Sequence, residues 1–337
     1  MRRYAIIGFG GLGKVHYGNL LEIEKQRGDI RLCAIANADL SAINKPTTLN
    51  IANISMENAD FSKYNLYTDY KELLEKEKPD FVICTLPTYL HADAAITAMK
   101  NGADVYCEKP MALTKEQCTE MAKTAEKYNK KLMLGQIIRF SPEYIKCREI
   151  IESGEYGKVL RGEFVRKSPL PDWSCQNWML DINKSGGCLI DMHVHDTDII
   201  NWMFGKAKSV VSHSTHHRAE FESVYSTFEY DDKFISVIAD WGLPSKFEFE
   251  YRFCIAFEKA FLEFKNGCMT IITDDDVQKT SYDEIISDFY GEIEEFIDCV
   301  VNDKDFTTVK LPSVMDSMKM VFAEAESAKT GEREFIE

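Results

Sequence analysis

The stretch Gly186-Gly187-Cys188-Leu189-Ile190-Asp191-Met192-His193-Val194-His195-Asp196 sets an acid and an imidazole four residues apart, behind two glycines. If it is helical, Asp191 and His195 lie one turn apart on one face, and His193 points away from that face. Histidine titrates near neutral pH, and a carboxylate beside it can orient it, which is the equipment of proton transfer. Such pairs also occur as ordinary surface decoration, so the spacing alone does not decide. A second candidate is Lys109 in Glu108-Lys109-Pro110. It reads as a salt-bridged loop lysine, the usual case, or as a cation that orients a hydroxyl and biases a neighbouring proton donor. Pro110 restricts the Lys109 backbone in both readings. His213, His216 and His217 share their strand with no acid or cysteine and read as polar strand residues rather than metal ligands.

The elements that must position these residues begin at the amino terminus. Residues 4–7 form a short apolar strand that runs into Gly8-Phe9-Gly10-Gly11-Leu12-Gly13, and residues 14–25 follow as a helix. A G-x-G-x-x-G turn in that setting permits close backbone approach to a pyrophosphate, which then sits on the N–H groups of the helix start. His16 reads either as a neighbour of the phosphates or as a solvated helix residue. The next strand, 30–36, ends at Asn37, where an acid commonly reads the ribose 2′-hydroxyl. Asn37 is neutral, Asp39 comes two residues later and no arginine follows directly, so the cofactor reads as NAD or NADP, leaning to NAD.

Residues 40–65, rich in Asn, Ser and Thr, predict an irregular connection with one short helix at most. Beyond it come a helix capped by Asp69, a buried strand over 81–85 and a turn with Thr85, Leu86, Pro87 and His91 leading into a helix to Asn101. A strand over 104–107, a helix over 114–128 and a strand over 131–136 complete an alternating series. That pattern specifies a parallel, doubly wound sheet, with ligands at the carboxyl ends of its strands. The glycine turn, Asn37, Thr85, His91, Glu108, Lys109 and Gln136 all fall at such ends.

A hinge at 135–144 and a helix to 151 precede strands over 159–166, 209–216, 223–230, 235–241, 249–257, 259–264 and 269–272, closed by helices over 282–301 and 313–329. Alternation in 225–230 fits antiparallel strands with one face partly open, a candidate dimer surface. A chain of 337 residues suggests two domains, and 45% hydrophobic residues suffice for large cores. The net charge of -15 argues against nucleic acid or an anionic membrane as main partner. No apolar run approaches the length of a membrane span, and the first residues are too short an apolar stretch for a signal peptide. Ten cysteines scattered singly, with no Cys-x-x-Cys, read as reduced, buried thiols and point to the cytoplasm.

Taken together, several motifs resemble, in order and over nearly the full length, the Gfo/Idh/MocA oxidoreductases, which include glucose-fructose oxidoreductase and inositol dehydrogenases. They are Gly8-x-Gly10-x-x-Gly13, Thr85-Leu86-Pro87 with His91, Glu108-Lys109-Pro110, Gly135-Gln136 with Arg139-Phe140 and Pro142, and Gly186-Gly187 with Asp191, His195 and Asp198. The resemblance implies an α/β chain with a Rossmann domain (1–136) and an α+β domain (137–312) that binds substrate and carries a large, mostly antiparallel open sheet. It further implies a final helix (313–337) returning to the first domain, a cis Lys109–Pro110 peptide, and a homodimer or homotetramer paired through the open sheet.

By the same resemblance the cofactor contacts are Gly8, Phe9, Gly10, Gly11, Leu12, Gly13, Asn37, Thr85, Leu86, Pro87, His91, Glu108, Lys109 and Gln136. The catalytic residues are Lys109, Asp191 and His195, which a two-domain arrangement could bring together. Arg139, Trp173, Trp178 and Asp181 are candidates for the substrate pocket, with packing an equal reading for the two tryptophans. Three departures stand out: Asn37 in place of an acid, Met192-His193 in place of a small residue or Gly pair, and the long 40–65 connection. The expected activity is hydride transfer between a nicotinamide and a sugar, polyol or related keto compound. An NAD-dependent glycosidase that retains its cofactor and a non-enzymatic dinucleotide sensor are the alternatives; the intact Lys109, Asp191 and His195 argue against the sensor.

Overall fold

The computed structural model describes residues 1–48, 53–54, 56, 59–172, 174–282 and 286–337. The chain divides into two compact units, Met1–Gly135 with Ile286–Leu311, and Gln136–Ile285 with Pro312–Glu337.

The first unit runs β1 (Arg2–Ile7), α1 (Gly11–Arg27), β2 (Ile30–Ala36), β3 (Thr47–Thr48), β4 (Asn53–Ile54), β5 (Asn65–Tyr67), α2 (Tyr70–Glu77), β6 (Phe81–Cys84), α3 (His91–Lys100), β7 (Asp104–Glu108), α4 (Lys115–Tyr128) and β8 (Leu132–Gly135). Six strands pair in parallel in the order β5-β2-β1-β6-β7-β8. Helical crossovers cover both faces of such a sheet, so its strands read as unbroken apolar runs: Ala5, Ile6, Ile7, Val82, Ile83, Val105 and Tyr106 have no exposed surface. Local chemistry starts and stops the helices. Asp69 accepts a hydrogen bond from the Lys71 N–H, Thr114 accepts one from the Gln117 N–H, and Gly28 ends α1 at φ 69°. The strand order reverses between β1 and β6, which puts the crevice of this sheet type beside Gly8 and Thr85. The 40–65 connection contains a short 3-10 turn at Leu40–Ala42 and a two-residue hairpin of β3 with β4; residues 49–52, 55, 57 and 58 lie outside the described residues.

The second unit runs α5 (Pro142–Ser153), β9 (Val159–Pro169), α6 (Ile182–Ser185), α7 (Gly187–Asp191), α8 (Val194–Phe204), β10 (Ser209–Thr215), β11 (Ser223–Glu229), β12 (Phe234–Leu243), β13 (Glu250–Phe257), β14 (Phe261–Lys265), β15 (Cys268–Ile272) and β16 (Val277–Ser281). The chain then contributes α9 (Ile286–Val301) to the first unit and ends with α10 (Leu311–Thr330) and β17 (Glu334–Phe335). Nine strands form one sheet in the order β16-β15-β14-β13-β9-β12-β11-β10-β17, antiparallel except for β9 beside β12. Phe253, Ile255 and Phe257 alternate inward along β13 and join Tyr144, Ile199, Ile200 and Met320 in its core. The edge strands β16, wholly exposed and polar but for Val277, and β17, two residues long, lack the hydrophobic signal that marks the others.

Two expectations are corrected. The final helix α10 belongs to the second unit, and it is the segment before it, with α9, that belongs to the first. The buried faces explain this. Those of α10 include Ser317, Glu324 and Ser327, which bond Asp198, Thr197 and the Ser212 N–H. The buried face of α9 is Ile293, Phe296, Ile297 and Val300, with Phe296 against the rings of Phe81 and Tyr106.

The second correction concerns the opening stretch, which is not one continuous helix. The His193 N–H reaches back five residues to the Cys188 carbonyl (2.8 Å), and the His195 N–H only three, to Met192 (3.2 Å). The extra residue wound in at Met192–His193 separates α7 from α8. His193 turns inward. It is wholly buried, its Nε2 2.6 Å from Glu324 Oε1 on α10 at an angle unsuited to a hydrogen bond.

Candidate active site

In the first unit the glycine turn is shaped by what side chains would hit. A Cβ on Gly8 (φ +89°) would come within 2.8 Å of the Thr85 backbone, and one on Gly13 within 2.4 Å of the Gly8 carbonyl oxygen. These glycines bring α1 close against β1 and β6. Gly10 differs: no atom lies within 4 Å of its would-be Cβ, and no side chain caps the helix that starts there. An open cradle at an uncapped helix start fits a diphosphate, so the residues present suit a dinucleotide.

The frame around the cradle is tied internally. The Phe9 N–H donates to Asn37 Oδ1 (3.0 Å), and the Asn37 side-chain amide donates to the Asp39 carbonyl (2.7 Å). The Phe9 ring is buried against Tyr17 and Phe61. Phe9 and Asn37 therefore brace the loop, and the exposed acid at the end of β2 is Asp39, which caps Ser41. Lys14 is buried and donates to the carbonyls of Ala42 and Lys45 and the Thr47 hydroxyl, tying α1 to the segment after β2. Burial and then Lys45 push its ammonium below its ordinary range.

Thr85 donates to the Gly8 carbonyl oxygen (2.6 Å). His91 is buried, with Nε2 2.7 Å from the Leu86 carbonyl oxygen and Nδ1 2.8 Å from that of Pro110. It links the Leu86–Pro87 turn to the cis Lys109–Pro110 turn from inside. Burial lowers its pKa, although the two carbonyls pull the other way. Glu108 is buried as well. Its Oε1 accepts from His16 Nε2 at 2.6 Å, and burial, which raises its pKa, is outweighed by that bond and by the charges of His16, Lys109 and His91. His16, the open case of the sequence, is thus not solvated but the buried partner of Glu108. Lys109 is half-buried, and its N–H leans on Glu108 Oε2 (3.3 Å).

In the second unit, α8 is buried and clamped by ion pairs on two sides. Arg139 Nε and Nη2 donate to Asp198 at 2.8 and 2.7 Å, with the Ser317 hydroxyl on the same carboxylate. Arg166 donates to Asp196 at 2.8 and 3.1 Å and lies over the Tyr251 ring. Arg139 is 1% exposed, so it is a structural ion pair and not the pocket residue expected of it. Asp181 likewise caps α6 through the Asn183 N–H and pairs with Lys184, and the Asn183 bond first and Lys184 after it hold its carboxyl low. Trp178 packs against the cluster of Met179, Cys188, Met192, Ala239 and Trp241; Trp173 lies outside the described residues. The Gln136 side-chain nitrogen is a buried donor with no partner among the described residues. From Ser185 to Asn201 every residue is buried except His195.

Tyr106, Glu292 and Glu324 were not singled out in the sequence. Asp288 and Glu292, one turn apart among the apolar residues of α9, are a signal that could have been found. Among the described residues no cluster suits a metal ion and no helix is long and apolar enough to cross a membrane.

Two family models match the chain: the oxidoreductase family with an NAD-binding Rossmann fold over residues 2–136, and the C-terminal domain of the same GFO/IDH/MocA group over 144–263. The chain belongs to the GFO/IDH/MocA oxidoreductases. Among its relatives, the 2,7-anhydro-N-acetylneuraminate hydratase of Mediterraneibacter gnavus is 26% identical over 71% of this chain and 61% of its own length. The scyllo-inositol 2-dehydrogenase (NAD(+)) of Bacillus subtilis is 29% identical over 62% of this chain and 56% of its own. The chain thus spans about three fifths of the length of these curated relatives. A levoglucosan dehydrogenase solved with NADH and levoglucosan shares the fold throughout, with a TM-score of 0.84, 17% identity and 99% of both chains covered. NAD is the cofactor of the family description, in keeping with the cradle at Gly10.

Proposed function

We propose that this GFO/IDH/MocA oxidoreductase is an NAD-dependent dehydrogenase that acts on a secondary hydroxyl of a sugar or polyol. The observation that carries the reading is His195, the one residue not buried in a segment otherwise packed and ion-paired into place. His195 takes the hydroxyl proton while the carbon gives up its hydride and the C=O bond forms. Lys109 holds the oxygen and offsets its developing negative charge, and Asp191 orients the substrate or His195. The bound nicotinamide supplies the hydride acceptor. Gly8, Gly10 and Gly13 keep the cradle open, and Asp39 would meet the ribose. Two subunits pair through the outer face of the nine-stranded sheet, where Tyr225, Phe234 and Ile272 are exposed.

The test is a screen of polyols and aldoses with NAD+ followed by absorbance, then His195→Ala and Lys109→Ala on the best substrate. General acid–base loss predicts a fall of about 10²- to 10⁴-fold in kcat for His195→Ala, with NADH affinity retained. Full turnover in either variant sinks the assignment. The hydratase named among the relatives favours one second reading, a retained cofactor with no net redox change. Sugar conversion without NADH accumulation would single it out.

A further inference from the structure

Beneath the turn that carries Lys109 lies a set of buried groups that hydride transfer does not use. His16 on α1, Tyr106 and Glu108 on β7, and Glu292 on α9 are each at most 5% exposed. The Tyr106 hydroxyl lies 2.8 Å from Glu292 Oε2 and 3.3 Å from Glu108 Oε1. A tyrosine has one hydroxyl proton, so it can donate to only one of two carboxylates; both contacts are hydrogen bonds only if one carboxyl carries a proton of its own. Glu108 already accepts from His16 Nε2 and from the Lys109 N–H. Glu292 has Tyr106 alone, and its Oε1 has no partner among the described residues. An ionised carboxylate with a bare buried oxygen is strongly disfavoured, whereas the protonated acid avoids that cost and donates to the Tyr106 oxygen.

We propose that Glu292 holds a proton at neutral pH and, through Tyr106 and Glu108, positions the turn that carries Lys109. The proton runs from Glu292 toward Tyr106, the tyrosine proton points to Glu108, and Glu108 is left as the one ionised carboxylate beside Lys109. The other groups that face the pair are His16, His91, Lys109, Asp288 and Glu295. Burial and the neighbouring Glu108 charge raise Glu292 in the same direction. Glu292 is a positioning residue, and its importance for turnover rests on the assignment of Lys109 to the reaction.

The test reads protonation directly. Infrared difference spectra of the full-length protein at pH 7 should show the carbonyl stretch of a protonated carboxylic acid, shifted in D2O and lost in Glu292→Gln. Should that variant fold poorly, Tyr106→Phe keeps the band but moves it, because the acid loses its partner. Trace labelling of amines, read on the Lys109 peptide by mass spectrometry, tests the coupling. Glu292→Ala should change Lys109 labelling by about twofold or more, since Tyr106 and then Glu108 lose their support, whereas Glu292→Gln, which can still donate to the Tyr106 oxygen, should leave it near the wild-type rate. Absence of the band, a Tyr106→Phe spectrum with the band unmoved, or equal labelling in Glu292→Ala and wild type overturns the proposal. None of these readouts uses catalysis, so an active Lys109→Ala enzyme would refute the catalytic assignment and leave this one standing.

Discussion

Replacing Arg139 by Met separates two uses of one arginine. The guanidinium makes two hydrogen bonds to Asp198, at 2.8 and 2.7 Å, and a third to the Ser313 hydroxyl at 3.1 Å, with both charged side chains at most 2% exposed. Removing one partner leaves Asp198 buried with, among the described residues, only Ser317 to satisfy it. Breaking a buried pair in this way costs about 3–5 kcal/mol. For a unit of this size each kcal/mol moves the midpoint by about 2–4 °C, so the second unit should melt about 6–20 °C lower. Replacing both partners with apolar residues of similar volume, Arg139→Met with Asp198→Leu, should recover much of the loss, because no charge is then stranded. Thermal unfolding followed by circular dichroism measures both variants. If Arg139→Met leaves the midpoint unmoved and instead raises KM for the substrate found by screening, the guanidinium serves the ligand and the structural assignment is wrong.

Three further outcomes can be checked. Gly10→Ala, which meets open space, should leave the melting midpoint in place and weaken NADH binding measured by fluorescence, whereas Gly13→Ala, 2.4 Å from the Gly8 carbonyl oxygen, should lower both. Asp39→Ser should shift preference toward NADPH in paired titrations, since a carboxylate at the end of β2 repels a 2′-phosphate; an unchanged ratio would place the discrimination elsewhere. Because Glu292 is raised above the ordinary carboxyl value of 4.5, the native state binds more protons than the unfolded chain above that pH. Wild-type stability therefore declines as pH rises from there, by at most about 1.4 kcal/mol per pH unit, and urea midpoints should show Glu292→Gln gaining on the wild type over that window.

Much of the first unit was legible because its signals are local. Apolar runs mark strands covered on both faces, Asp69 and Thr114 mark helix starts, and Gly8 and Gly13 mark a turn with no room for a side chain. The antiparallel strands were legible by alternation wherever one face is buried, and illegible at β16 and β17, where neither signal exists.

The roles of single polar residues were not legible, because they depend on partners far away in sequence. Arg139 and Asp198 are 59 positions apart, His16 and Glu108 are 92, and Tyr106 and Glu292 are 186. Type and position made Arg139 look available to a ligand and said of His193 only that it points away from the Asp191 face; burial against Asp198 and Glu324 decided where each goes. The opening stretch shows the division most clearly. Its residues determined that an acid and a histidine would lie close along the chain. Only packing decided that an extra residue winds in at Met192–His193, sends His193 inward to α10 and leaves His195 as the one residue of the segment not buried. A helical period describes a chain alone, whereas the free energy of burying a charge is set by what the rest of the fold brings to meet it.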